Sequence, residues 1–265
     1  MKHSEERILS WFQSKGWAPF EFQCETWRAI AEGKSGLLHA STGTGKTMAV
    51  WLGLLGKWLD QDQTVWDLNH LKVLWITPLK ALAKDTCKNL TEPCVYLEVP
   101  WSVDVRTGDT NSYSKKKQLE CFPTCLITTP ESLSLLLSYP ETQRKFSHLD
   151  AVVVDEWHEL LSTKRGTQTE LVLAKLRAWK PDLQVWGLSA TLGNLEQAAQ
   201  ALRGPADDRP FAFIQGEIPK TTQVVNLIPE KIDRLPYAGH LGLKMLPEVI
   251  ETIESAGTTL LFTNT

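Results

Sequence analysis

The segment Gly36–Leu55 constrains this chain most. It reads as a short apolar run, Gly36-Leu37-Leu38-His39, then a polar loop, Ala40-Ser41-Thr42-Gly43-Thr44-Gly45-Lys46-Thr47, then a helical pattern carrying Val50, Trp51, Leu54 and Leu55. The loop matches G-x-x-x-x-G-K-[ST] in its required strand-loop-helix setting, with Ala40 in place of the first glycine. The residue types suit a bound phosphate. Gly43 and Gly45 let backbone N–H groups turn inward, the helix amino terminus adds partial positive charge, Lys46 reaches the β/γ-phosphates and the Thr47 hydroxyl can hold Mg²⁺. A glycine-rich turn without a ligand would need neither Lys46 nor Thr47.

Other apolar runs repeat the strand signal at 72–77, 103–106, 124–128, 151–155 and 184–189, each separated from the next by amphipathic segments. Short runs apolar on both faces between helices predict an α/β fold with a parallel sheet covered on both sides. Helix ends are readable too. Ser4 is placed to cap a helix carrying Ile8, Leu9 and Phe12 and stopped by Gly16, and Thr167 to open a helix ending at Trp179 before Pro181. With 265 residues the chain has room for about two domains. A turn-rich stretch, Arg203–Pro210, marks the expected boundary: 1–210 as one domain, 211–265 as a linker and the start of another. Beyond it the pattern predicts strands at 211–214 and 223–228, a helix near 241–255 and a final strand at 258–263. That last strand, apolar and without a covering helix, predicts that the chain is the front piece of something longer.

Composition excludes several classes. At 42% hydrophobic and 22% charged residues the chain is neither disordered nor collagen-like. No apolar run approaches the roughly 18 residues of a membrane span, and the charged Met1–Arg7 is no signal peptide, so no membrane partner and a cytoplasmic location are expected. Five cysteines without C-x-x-C spacing indicate neither a disulfide framework nor a zinc site. A net charge of −3 argues that any nucleic-acid contact is local. Most of the 11 tryptophans sit in apolar contexts and read as core.

Hydrolysis also needs a carboxylate for the metal and a group to activate water. The buried-strand pattern Ala151-Val152-Val153-Val154 delivers Asp155-Glu156-Trp157-His158 at its carboxyl end, where open α/β sheets place their ligands. Asp155 is the candidate Mg²⁺ ligand, and Glu156 the candidate for orienting and deprotonating water.

Together these motifs resemble a superfamily 2 helicase of the DExH type. Thr77-Pro78-Leu79-Lys80, Thr107-Gly108-Asp109, Thr129-Pro130-Glu131-Ser132 and Ser189-Ala190-Thr191 fall in the family's order between and after the two ATP motifs. Pro19-Phe20-Glu21-Phe22-Gln23 resembles its adenine-reading motif, with Gln23 pairing to the adenine edge and Phe20 as the nearby aromatic. Asp155–Leu160, followed by Lys164-Arg165-Gly166, is similar to the large helicase-related (Lhr) family. Trp17–Phe20, Gly36–Ala40 and Ala238–Leu243 look most like its bacterial branch, the ligase-associated DNA damage response DEXH-box helicases.

The resemblance implies a P-loop NTPase lobe of the RecA-like kind over 1–210, with a second RecA-like lobe beginning in 211–265. It implies ATP and Mg²⁺ as cofactors and 3′-to-5′ movement on single-stranded or forked duplex DNA in DNA repair. Catalytic roles fall to Lys46, Asp155, Glu156 and His158; nucleotide contacts to Phe20, Gln23 and Ser41–Thr47; and metal binding to Thr47 and Asp155. Strand contacts fall to Thr77, Lys80, Arg106, Thr107, Thr129, Lys164 and Arg165, and coupling to Ser189 and Thr191. A DNA ligase or nuclease partner is implied as well. The arginines that complete the ATP site belong to the later lobe, so this chain is expected to bind ATP with little or no turnover. An RNA-directed DExH helicase and a non-hydrolysing ATP-dependent binding module remain the alternatives, since phosphate contacts do not read the 2′-OH.

Overall fold

The structure, a computed structural model, describes residues 2–61, 70–191, 193–204, 209–217, 223–227 and 245–262. Seven strands form one sheet: β1 (Ser35–Ala40), β2 (Val73–Ile76), β3 (Val103–Arg106), β4 (Cys125–Thr128), β5 (Ala151–Val154), β6 (Gln184–Ser189) and β7 (Phe211–Gly216). Their order is β3-β4-β2-β5-β6-β1-β7, and all six pairings are parallel. Parallel neighbours require crossovers, which supply helices for both faces.

One face is covered by α1 (Lys2–Ser14), α2 (Glu21–Ala31), α3 (Lys46–Leu59) and α4 (Lys80–Tyr96). They bury Phe12, Trp27, Ile30, Trp51 and Leu55 against Leu38, Trp75 and Leu188 of the sheet. The helices α5 (Ser112–Glu120), α6 (Pro130–Leu136), α7 (Thr142–Lys145), α8 (Trp157–Leu160), α9 (Lys164–Trp179) and α10 (Leu195–Arg203) follow. The opposite face packs Leu133, Trp157, Leu173 and Leu202 on Leu37, Leu74, Val152 and Val185. Alternation along each strand decides the face: Leu37 goes to one core and Leu38 to the other. Gly36 lies where sheet and indole meet, since a Cβ there would sit 2.7 Å from both the Ala212 carbonyl and the Trp186 ring.

Most tryptophans are core, as expected, and several anchor the layers through their indole N–H. Trp51 donates to Leu90 O (2.8 Å), Trp157 to Ala198 O (2.9 Å) and Trp186 to Lys34 O (3.1 Å). The five cysteines are free thiols, and no helix among the described residues is long and apolar enough to cross a membrane.

The structure corrects several expectations. Ser4 does not cap α1 but lies within it, its hydroxyl donating to Asp60 (2.9 Å). The α9 cap is Thr163, which accepts from Gly166 N–H, so the helix starts one turn before Thr167. The segment at 211 does not open a new domain: β7 pairs with β1 along its whole length, and the first compact unit runs from Met1 to Ile218. The expected boundary at 203–210, of which 205–208 lie outside the described residues, falls between α10 and β7 and inside the first unit. The second unit, Pro219–Thr265, holds one described helix, α11 (Leu246–Ser255). Residues 241–244 of the expected helix lie outside the described residues, as do 228 and 263 at the ends of the two expected strands. Residues 223–227 and 258–262 form no regular element.

Candidate functional site

The phosphate loop connects the end of β1 to α3. Its glycines carry the backbone past positions a side chain would strain: Gly43 has φ +78° and Gly45, the residue before α3, φ +84°. The Thr44 hydroxyl donates to Ser41 O (2.7 Å), tightening the turn. Lys46 is buried, and its ammonium donates to Ala40 O (2.7 Å) and Ser41 O (3.0 Å), which folds the side chain back over the loop. Ser41 and Thr47 are half-buried, while Thr42 and Gly43 are exposed.

Gln23 is 2% exposed and already engaged: its Oε1 accepts from Phe20 N–H (2.9 Å) and its Nε2 donates to Gly45 O (3.1 Å). The amide therefore ties α2 to the phosphate loop. A cleft of about 820 Å³ opens beside it, running from Gly43–Thr47 to an aromatic wall that includes Trp17 and Phe20, with Asn89 and Glu92 of α4 at the rim. Phe20 stacks on Phe22 (centroids 5.7 Å apart) and keeps an exposed face. Asn89 and Glu92 lie outside every motif of the sequence, and Trp17 enters only as part of the Trp17–Phe20 phrase, with no role in the site assigned to it.

Asp155 and Glu156 stand at the end of β5, between β2 and β6. The Asp155 carboxylate is almost fully buried; its Oδ2 accepts from Trp75 Nε1 (3.2 Å) and its Oδ1 from Glu156 N–H (3.0 Å). Burial pushes this carboxyl up to about 6, against the lowering effect of the Trp75 hydrogen bond; the Glu156 charge raises it further and Lys46 opposes. Glu156 adopts the left-handed conformation (φ 46°, ψ 48°). Its Oε2 is buried without a hydrogen-bond partner, 3.5 Å from His158 Nδ1. That nitrogen also meets Ser189 Oγ (3.3 Å) and accepts from Ala190 N–H (3.4 Å). His158 therefore joins the acids to the end of β6, and Thr191 lies exposed beside a groove that His158 also lines.

The donor set fits Mg²⁺ with bound nucleotide. A hydroxyl (Thr47) and a buried carboxylate (Asp155) are oxygen donors of the hard kind that Mg²⁺ takes.

The strand-contact candidates divide. Thr77, Arg106, Thr107 and Thr129 are buried in this arrangement, so contact with a strand there would run through backbone amides or the few atoms at the surface. Arg106 donates to Lys115 O (2.9 Å) and Gln118 Oε1 (3.2 Å), Thr129 caps α6, and Thr107 N–H donates to Thr110 Oγ1 (3.0 Å). Lys80, Lys164 and Arg165 face solvent. Lys80 pairs with Asp109 (2.8 Å), and Arg165 pairs with Glu131 (2.6 Å) while donating to Pro78 O (3.2 Å).

A seven-stranded parallel sheet with a phosphate loop at one strand end and an acid pair two strands away defines a P-loop NTPase lobe. Comparison with known proteins narrows the class: the DEAD/DEAH box helicase family model matches residues 20–198, and the chain belongs to that family. It is 33% identical to the ATP-dependent helicase Lhr-Core of Sulfolobus acidocaldarius over 98% of this chain and 30% of that protein. With the Lhr helicase/uracil glycosylase of Escherichia coli it shares 31% identity over 83% of this chain and 15% of that protein. The fold matches the solved structure of Mycobacterium smegmatis helicase Lhr bound to ssDNA and AMP-PNP, with a TM-score of 0.74 and 27% identity, covering 97% of this chain and 34% of that one. This chain thus spans about a third or less of these relatives.

Proposed function

We propose that this chain is the ATP-binding lobe of an ATP-dependent helicase that moves 3′ to 5′ on single-stranded DNA in DNA repair. The observation that carries the reading is the placement of the phosphate loop, Asp155–Glu156 and His158–Ser189 along adjacent carboxyl ends of β1, β5 and β6. Single-stranded DNA as the track is favoured by the DNA-bound relative; polarity, the repair role and a ligase or nuclease partner rest on the Lhr resemblance.

In this reading the loop amides, Lys46 and Thr47 cradle the triphosphate, and the base lies in the cleft toward Gln23, Phe20 and Trp17. Mg²⁺ would be held by Thr47 and Asp155, supplying charge neutralisation of the β/γ-phosphates. Glu156 orients and deprotonates the attacking water. His158 and Ser189, already in contact, carry the state of that site to the end of β6, with Thr191 beyond. Lys80, Lys164 and Arg165 present cations to a strand crossing the carboxyl ends of β2–β5. The second unit, with α11, opens the next RecA-like lobe.

That next lobe supplies arginines to the cleft. Because such an arginine contributes about 10³–10⁵ in rate, the 265-residue chain alone is expected to bind ATP with little turnover. The test is ATP hydrolysis with and without single-stranded DNA, with Glu156→Gln as the control for contaminating activity. DNA-stimulated turnover that vanishes in the variant would overturn the one-sided-cleft part of the proposal.

A further inference from the structure

The interior of the lobe holds a hydrogen bond that none of the ATP motifs accounts for. Trp75 lies in the middle of β2, fully buried, and its indole N–H points at Asp155 Oδ2 on the adjacent strand (3.2 Å). Its ring packs edge-on against Trp51 of α3, the helix that the phosphate loop opens (centroids 6.3 Å apart, planes at 81°). Among the other buried indoles, Trp51, Trp157 and Trp186 each take a backbone carbonyl, whereas the indole nitrogens of Trp11, Trp27 and Trp101 have no hydrogen-bond partner among the described residues. Trp75 instead takes a carboxylate that the acid-pair motif assigns to the metal.

We propose that Trp75 is a positioning residue for Asp155, fixing the plane of its carboxylate toward the nucleotide-bound Mg²⁺. An indole suits this role because it is a donor only, carries no charge and cannot take the proton. It therefore holds Oδ2 without cancelling the charge the metal needs, as a lysine or arginine would. The Glu156 N–H holds Oδ1, so two donors fix the carboxylate plane and leave lone pairs for the cation. Through Trp51 the indole also sets Asp155 relative to α3 and hence to Thr47.

The inference rests on the proposed ATP site, and the test separates the two. Mg²⁺ is titrated calorimetrically into the 265-residue chain saturated with ADP, for the parent, Trp75→Phe and Asp155→Asn. Losing a group that orients a metal ligand costs about 10- to 100-fold in metal affinity. Trp75→Phe should thus weaken Mg²⁺ by about tenfold or more while leaving metal-free ADP affinity unchanged. Equal Mg²⁺ affinity in Trp75→Phe, with a loss in Asp155→Asn, overturns the role of Trp75 alone. No loss in Asp155→Asn overturns the metal site itself. A second readout does not depend on the phenylalanine variant folding. In the ¹⁵N-tryptophan-labelled parent, one indole N–H resonance should shift on adding Mg²⁺ to the ADP complex, and Asp155→Asn should shift that same resonance in the free protein. If Asp155→Asn moves no indole resonance, the contact is refuted.

Discussion

At the level of single residues, the site is built at a cost to the fold. Asp155 is held in apolar surroundings, where burial raises its carboxyl to about 6. Its folded-state value lies above that of the unfolded chain, so the folded state binds the proton more tightly, and the stability this confers is fully present below about pH 4 and lost as pH rises through 6. The difference corresponds to about 3 kcal/mol. Asp155→Asn should therefore raise the melting temperature of the nucleotide-free chain at pH 7.5 and flatten its pH dependence between 4 and 6; a lower melting temperature would show that the carboxylate is better solvated than its burial implies. Glu156 costs the fold in another way, since a left-handed backbone burdens any residue with a Cβ. Glu156→Gly should stabilise the lobe by about 1 kcal/mol in urea unfolding, whereas Glu156→Gln keeps the strain and should be near neutral.

These two acids were legible in the sequence because an apolar strand followed by Asp-Glu at its end is a local pattern. Trp75 was not, since its importance comes from pairing with β5, 80 residues away. The indole looked like core, and it is core; only register puts its N–H on the Asp155 carboxylate. Gln23 is the converse case. Its motif pointed to adenine alone, yet its amide also bridges Phe20 and Gly45.

At the level of elements, the six strands expected before residue 190 all form: β3 and β6 as expected, β4 and β5 shorter by one residue at one end, β2 shorter and β1 longer by one residue at both ends. Short apolar runs between amphipathic helices leave few alternatives to a parallel sheet. β7 shows where that reasoning stops. The run Phe211–Ile214 was recognised as strand-like, but a parallel strand carries no local mark of its partner, and only tertiary pairing sends it back to β1. The strand-facing loops show a similar limit. A motif places Thr77, Arg106 and Thr129 in sequence, but helix capping and burial decide which way the side chains turn.

Lys80 and Arg165 remain outward, each neutralised by an acid from another element, Asp109 and Glu131. Those carboxylates stand where strand phosphates would bind in the proposed interface, and exposed pairs of this kind are weak enough to exchange. Asp109→Asn should tighten oligo(dT) binding at low salt by about two- to fivefold and steepen its salt dependence. Fluorescence anisotropy across a salt series checks this; weaker binding would mean that Asp109 orients Lys80 for the phosphate instead of competing with it.

At the level of the whole molecule, the chain is two units, with the nucleotide and acid motifs all in Met1–Ile218. The sheet brings the ends of β1, β5 and β6 side by side although they are far apart in sequence, and that convergence makes one loop and two acids into a site. ATP binding at this convergence, through the phosphate loop, is the claim on which every other role depends. Its most direct test is the affinity of the 265-residue chain for Mg²⁺·AMP-PNP by calorimetry, with Lys46→Ala in parallel. The prediction is one site in the parent and a loss of at least about tenfold in Lys46→Ala, the scale expected for a charge-assisted phosphate contact. Equal affinity in the two proteins would place the nucleotide elsewhere and contradict the claim.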